Sequence, residues 1–198
     1  MNLDHTTLFT EFDPQNMLAE IAGLPDQLTA AYHLGNTLPL PDWGKFTRVL
    51  IAGMGGSAIG ADLLAAYIEP LSPVPVIVHR DYDLPAWAAG PDTLVITSSH
   101  SGNTEETLSA FERAVENNCR VLAVTTGGQL AGKAEQNGAA LWRFDHRGQP
   151  RAAVGYSFGL LLAAFSRLGL IPDPGEELQS AVDSMITQQL KIAPESPT

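Results

Sequence analysis

The sequence predicts an α/β fold: a doubly wound, three-layer αβα sandwich built on a five-stranded parallel sheet. Three observations predict it. Apolar runs of strand length recur between residues 48 and 144, continuous rather than alternating, as expected of strands covered on both faces. Segments with helical spacing separate them, which is the order of repeated β-α-β units. The first run, "RVLIAG", stops in glycines and passes at once into a helical pattern, in "RVLIAGMGGSAIGADLL" at residues 48–64. Open parallel sheets bind ligands at such a junction, beyond the carboxyl ends of their strands.

The elements follow in order. Residues 14–34 carry Met17, Leu18, Ile21, Leu24 and Leu28 at helical spacing, which predicts an N-terminal helical segment interrupted around Pro25. "NTLPLPDWGK" reads as a loop. The strands are "RVLIAG", "VPVIVHR", "DTLVITSS", "RVLAVTT" and "AALWRF". Helices are expected through "ADLLAAYI", "TEETLSAFERAVENN", "GQLAGKAEQN" and "AAVGYSFGLLLAAFSRLG", with a last one near residues 175–191. The closing "APESPT" has the composition of a linker. The chain therefore divides into a helical segment and loop (1–47), a core domain (48–174), and a C-terminal helix and linker (175–198).

Composition sets bounds on function. A chain of 198 residues with 44% hydrophobic content can bury one domain core. Its formal net charge is −11, from 11 Lys+Arg against 22 Asp+Glu, which argues against nucleic acid and anionic membrane as partners. A small anion remains possible, because backbone N–H groups at a helix start can hold one. The single cysteine, Cys119, reads as a small buried apolar residue, and one thiol cannot form an internal disulfide. The acidic, polar N-terminus is unlike a signal peptide, and "LLLAAF" is far short of a membrane span. These features lead us to expect a soluble, cytoplasmic protein. The five histidines show no HExxH or paired spacing, so no metal is expected, and no cofactor.

Two loops carry the chemistry. In the first, Gly53, Gly55 and Gly56 permit close backbone approach to a ligand, and Ser57 adds a hydroxyl at the helix start, where it could equally serve as an N-cap. Gly53, Gly55 and Ala58 also satisfy the dinucleotide pattern G-x-G-x-x-A, with Asp81 as a late acidic partner, which keeps an NAD(P)-binding oxidoreductase domain as an alternative. The second loop, "TSSHSGNTEET" at 97–107, gathers Thr97, Ser98, Ser99, Ser101, Gly102 and Thr104 before another helix. Two cradles at neighbouring strand ends can grip one phosphate from both sides. The competing reading is a cap linking Thr104 and Thr107, which would account for only part of the cluster. "GYSFG" matches the hydrolase elbow G-x-S-x-G, but no strand immediately precedes it, so small-residue helix packing is the better account. Trp43, Trp87 and Trp142 are expected as core or interface anchors.

"GMGGSAIGAD" followed by "SSHSGNTEET" resembles a sugar isomerase (SIS) domain. With "FDPQNMLAEIAGLPDQ" and "QPRAAVGYSFG", essentially the whole chain is similar to the N-terminal domain of the bifunctional phosphoglucose/phosphomannose isomerases. The resemblance implies that Gly55, Gly56, Ser57, Ser99, Ser101 and Thr104 hold the phosphate of a hexose 6-phosphate. It implies that Arg151 stabilises the enediolate formed as a proton passes between C1 and C2. His100 stands where the family often has Tyr. Glu105 and Glu106 lie at the phosphate end, where a base would be misplaced. In the family two SIS domains occur in tandem, and the base and ring-opening His belong to the second. This chain has material for one. It is therefore expected to supply the phosphate-binding half of a glucose 6-phosphate/mannose 6-phosphate isomerase and to be inactive alone. A non-catalytic sugar-phosphate-binding module is the other reading. Partners are expected in a second SIS domain of the parent protein and in a homodimer paired through the apolar helix at 152–170.

Overall fold

Side chains on a strand point alternately to opposite faces, and here both sets are apolar. In a computed structural model of the chain, which describes residues 9–192, the strands are β1 (Arg48–Gly53), β2 (Val76–His79), β3 (Thr93–Ser99), β4 (Arg120–Thr125) and β5 (Ala140–Arg143). All pairings are parallel, in the order β2-β1-β3-β4-β5. Val49, Ile51, Leu94, Ile96, Leu122, Val124 and Trp142 face one cluster, and Leu50, Ala52, Val95, Val121 and Ala123 face another. β3, buried along its whole length, is the centre of the sheet.

Helices cover both faces. α5 (Glu105–Glu116) and α6 (Gly128–Gln136) close the smaller cluster through Leu108, Phe111 and Leu130. The larger cluster is closed by α3 (Leu24–Thr37), α4 (Gly55–Ile68) and α7 (Val154–Arg167). α8 (Gly175–Ile192) buries only Val182 fully and lays Leu178 against the core. The expected doubly wound sandwich is what the chain forms.

Three local readings are corrected. The N-terminal helical segment is not interrupted at Pro25. The break falls at Gly23, between α2 (Met17–Ala22) and α3, and Pro25 sits in the first turn of α3, where its missing N–H is not needed. α3 then runs to Thr37, taking in the start of the supposed loop. A short helix, α1 (Phe9–Phe12), precedes them, and Asp13 then caps the start of α2 by accepting the N–H groups of Met17 and Leu18, both at 2.8 Å. The third correction concerns assembly. The helix expected to offer an apolar dimer surface is a core helix: Leu160 through Phe165 are all buried, under α3 and α4.

Small residues make that packing possible. A Cβ on Gly159 would lie 2.8 Å from Ala31 Cβ, one on Gly155 2.8 Å from Gln27 Cβ, and one on Gly60 2.5 Å from Ser157 Cβ. "GYSFG" is thus a helical contact strip and not an elbow. Trp142 is fully buried and donates its indole N–H to the Pro39 carbonyl at 2.8 Å, whereas Trp87 is partly exposed. Residues 193–198, and His5, lie outside the described part of the chain.

Candidate functional site

β1 is flanked by β2 and by β3, and the chain leaves it toward β2. The loops after β1 and β3 therefore part at this point and open a crevice between them, the topological switch point at which such sheets bind ligands. Gly53 and Ser98 are register partners, so the two loops start side by side. A Cβ on Gly53 would sit 2.9 Å from the Ser98 carbonyl oxygen.

Gly55 takes φ +50°, which favours glycine, and opens α4. Gly56 is constrained by packing: its Cβ would fall 2.9 Å from the Pro150 carbonyl oxygen and 3.5 Å from Arg151 Cα. The missing side chain lets the segment carrying Arg151 lie against the glycine turn. Ser57 is buried in the first turn of α4, whose N-cap is Met54, so the capping role for Ser57 does not hold. Its hydroxyl makes no hydrogen bond within the described residues.

In the second loop Ser99 and Thr104 share a hydrogen bond at 2.9 Å, the Gly102 N–H donates to Ser99 Oγ at 3.1 Å, and the Asn103 N–H donates to Ser101 Oγ at 3.2 Å. The Thr104–Thr107 cap is not formed: Thr104 makes no side-chain cap bond, and Thr107 Oγ1 is buried without a partner. A third loop backs the second. Gly102, at φ +66°, has no room for a Cβ beside the Gly127 carbonyl. Thr126 donates to the His100 carbonyl at 2.7 Å, and the Leu130 N–H to that of Gly102 at 2.9 Å. The hydroxyls thus sit at the start of α5, where first-turn N–H groups and the helix dipole favour an anion.

Arg151 lies in a 3₁₀ turn, Pro150–Ala152, just before α7. It is exposed and makes no ion pair with any described residue. The structure brings the glycine turn and Arg151 together, and sets the hydroxyl loop on the strand next to β1. Glu105 is turned outward, accepting the Tyr82 hydroxyl at 3.0 Å. Asp81 accepts its own neighbour's N–H, that of Tyr82, at 2.8 Å, beyond the end of β2. His79 holds the same loop through the Asp83 carbonyl at 3.0 Å.

One group of residues at the site is not legible in the sequence. His100 Nε2 lies 2.9 Å from His146 Nδ1, and His146 Nε2 lies 3.3 Å from a Glu20 carboxylate oxygen. Phe144 and Tyr156 stack at 5.2 Å beside them. Burial, and secondarily His146, lower the pKa of His100 from its ordinary 6.5. Glu20 and His146 are 126 residues apart, so no spacing signal could have paired them. Cys119 is only half-buried, its thiol directed at the Ala88 carbonyl, and burial pushes its pKa up to about 11.

Residues 45–137 match the model of the SIS domain. The chain is 41% identical to the bifunctional phosphoglucose/phosphomannose isomerase of Caldicellulosiruptor bescii over 91% of its own length and 53% of that protein's. It is 34% identical to the enzyme of the same name from Aquifex aeolicus, over 77% of this chain and 48% of the relative. The chain thus spans about half the length of these curated relatives. Among solved structures, the fold matches the tagatose-6-phosphate ketose/aldose isomerase of Escherichia coli with a TM-score of 0.60 at 17% identity, over 89% of this chain and 53% of that one. It matches the C-terminal domain of glucosamine-fructose-6-phosphate aminotransferase from Francisella tularensis with a TM-score of 0.58 at 14% identity, over 85% and 52%. Residues 45–137 carry an SIS domain, and the chain is related in sequence to the bifunctional phosphoglucose/phosphomannose isomerases.

Proposed function

We propose that the chain supplies the sugar-phosphate-binding half of an aldose–ketose isomerase that interconverts glucose 6-phosphate or mannose 6-phosphate with fructose 6-phosphate. One observation carries the proposal: two anion cradles on adjacent strands at the switch point, with Arg151 packed directly against the first. Gly55, Gly56 and Ser57 form one side of the phosphate grip. Ser99, Ser101 and Thr104 form the other. Arg151, without an ion-pair partner among the described residues, is a cation beside the grip, suited to the oxyanion that develops when a proton leaves C2 of the aldose and is delivered to C1. The names of the relatives supply the sugar. The geometry supports the phosphate.

The proton-transferring base is assigned to a second SIS domain of the parent protein. Glu105 and Glu106 stand in the first turn of α5, and Glu20 is engaged with His146. A cytoplasmic location and a homodimer complete the proposal. With α7 buried, the pairing surface must lie elsewhere, and Ile59 and Leu63 are exposed apolar residues one turn apart on α4, the helix that opens at the first loop.

Calorimetric titration tests the grip. Fructose 6-phosphate should bind and free fructose should not. Ser57→Ala and Ser101→Ala should each weaken binding by about 1–3 kcal/mol, the worth of a hydrogen bond to a charged group. Equal affinity for fructose and its 6-phosphate would refute the grip. Binding of NADP, but of no sugar phosphate, would revive the oxidoreductase reading.

A further inference from the structure

We infer that Glu20, His146 and His100 form a positioning relay that locks the hydroxyl loop to the Arg151 segment and releases it on acidification. This rests on the phosphate-grip reading of the two loops. The three residues come from three separate places. Glu20 lies on α2, His146 on the segment between β5 and Arg151, and His100 between the proposed phosphate ligands Ser99 and Ser101.

Each end of the chain is seated. Glu20 lays its carboxyl group against Gly148, where a Cβ would displace it. A second tie runs parallel, from the Gln149 amide to Gln15 at 2.6 Å. The segment 146–149 leads directly into Pro150 and Arg151, which lie on Gly56. At the other end, the His100 carbonyl is held by the Thr126 hydroxyl, so the ring and backbone of His100 are both fixed. The side chain of His146 is only 8% exposed, which makes an unpaired ring nitrogen there costly.

The hydrogen-bond pattern sets the tautomers. An ionised Glu20 accepts, so His146 Nε2 carries the proton and Nδ1 is a lone pair. His100 Nε2–H must then donate to it. One added proton can be absorbed, because a single imidazolium still shares a hydrogen bond with a neutral ring. A second cannot, because two imidazolium rings would meet N–H to N–H. Burial and the neighbouring His146 make His100 resist protonation. The lock is therefore complete above the ordinary imidazole value of 6.5 and is lost as the pH falls below it. The other titratable groups around the pair are Tyr156 on α7, 5.6 Å from His146, and Asp145 and Arg147, which flank it and are both largely exposed. Arg151 follows on the next turn.

The test compares His100→Gln and His100→Ala with the unaltered chain. A glutamine amide reaches about as far as Nε2, donates to a neutral His146, and turns to accept from a protonated one. Fructose 6-phosphate dissociation constants are measured from pH 5 to pH 8. The phosphate monoester titrates near pH 6 in every sample, so the comparison between proteins isolates the relay. Relative to His100→Gln, the unaltered chain should lose about tenfold more affinity between pH 7.5 and pH 5, the worth of one buried hydrogen bond. His100→Ala should bind about tenfold more weakly than His100→Gln at pH 7.5. Superimposable pH profiles for the unaltered chain and His100→Gln overturn the relay, as does full affinity in His100→Ala.

Hydrogen exchange without ligand supplies a second readout. Amides in 99–104 and 146–151 should lose protection together below pH 6 in the unaltered chain and keep it in His100→Gln. Absence of sugar-phosphate binding at any pH would refute the grip alone, and the exchange result would still decide the relay: independent loss of protection in the two segments, or equal loss in His100→Gln, overturns it.

Discussion

A residue's chemistry here depends on which polar atoms its neighbours have already claimed. Ser99 and Thr104 spend part of their hydrogen-bonding capacity on each other, while the side chains of Ser57 and Arg151 make no hydrogen bond or ion pair with a described residue. Ser57 and Arg151 were legible as candidates because a hydroxyl at a helix start and a cation after a proline are local signals. The His100–His146 contact was not, since neither residue carries a sign of the other. Cys119 shows the same limit. It looked like a buried apolar residue, and it is a half-exposed thiol whose acidity is suppressed. With a pKa of about 11, only about one thiol in a thousand is ionised at pH 8. Labelling by a disulfide reagent at that pH should be at least tenfold slower than in the denatured chain. Equal rates would show that the thiol is not held in its protonated form.

At the level of elements, the packing of α7 against α3 and α4 rests on glycines that bring helices close together. Alanine is about 1 kcal/mol better than glycine in an open helix position. At Gly159 that gain is outweighed, because the new methyl would lie 2.8 Å from Ala31 Cβ and 3.0 Å from the Leu28 carbonyl oxygen. Gly159→Ala should destabilise the chain by about 1–3 kcal/mol in urea unfolding. Gly132 on α6 is the control: nothing lies within 4 Å of a Cβ there, and Gly132→Ala should stabilise by up to about 1 kcal/mol. Stabilisation by both variants would mean that propensity, and not contact, governs these helices. The break before α3 illustrates why boundaries are hard to read. Gly23 and Pro25 both punctuate the sequence, and only backbone hydrogen bonding shows that the glycine ends one helix while the proline starts the next.

For the molecule as a whole, the described residues set the two loops beside a cation, with Glu105 turned outward to Tyr82 and Glu20 engaged by His146. General-base assistance is typically worth about 10²–10⁴ in rate. The 198-residue chain should therefore bind fructose 6-phosphate yet isomerise it at a rate near zero in a coupled assay, using protein from a host lacking its own isomerase. Robust turnover would place a base within this chain, with Glu20 at the end of its relay the first to examine. By itself, the sequence determined the layers, the five parallel strands and the placement of the two glycine- and hydroxyl-bearing loops at strand ends, because apolar periodicity and glycine placement act over a few residues and the hydrophobic effect needs no partner's identity. Only the tertiary structure decided that α7 is core, that Gly56 seats Arg151, and that Glu20 reaches His100 through His146. These depend on which surfaces meet when residues distant in the chain, up to 126 positions apart for Glu20 and His146, compete for the same buried space, and no local pattern records the outcome of that competition.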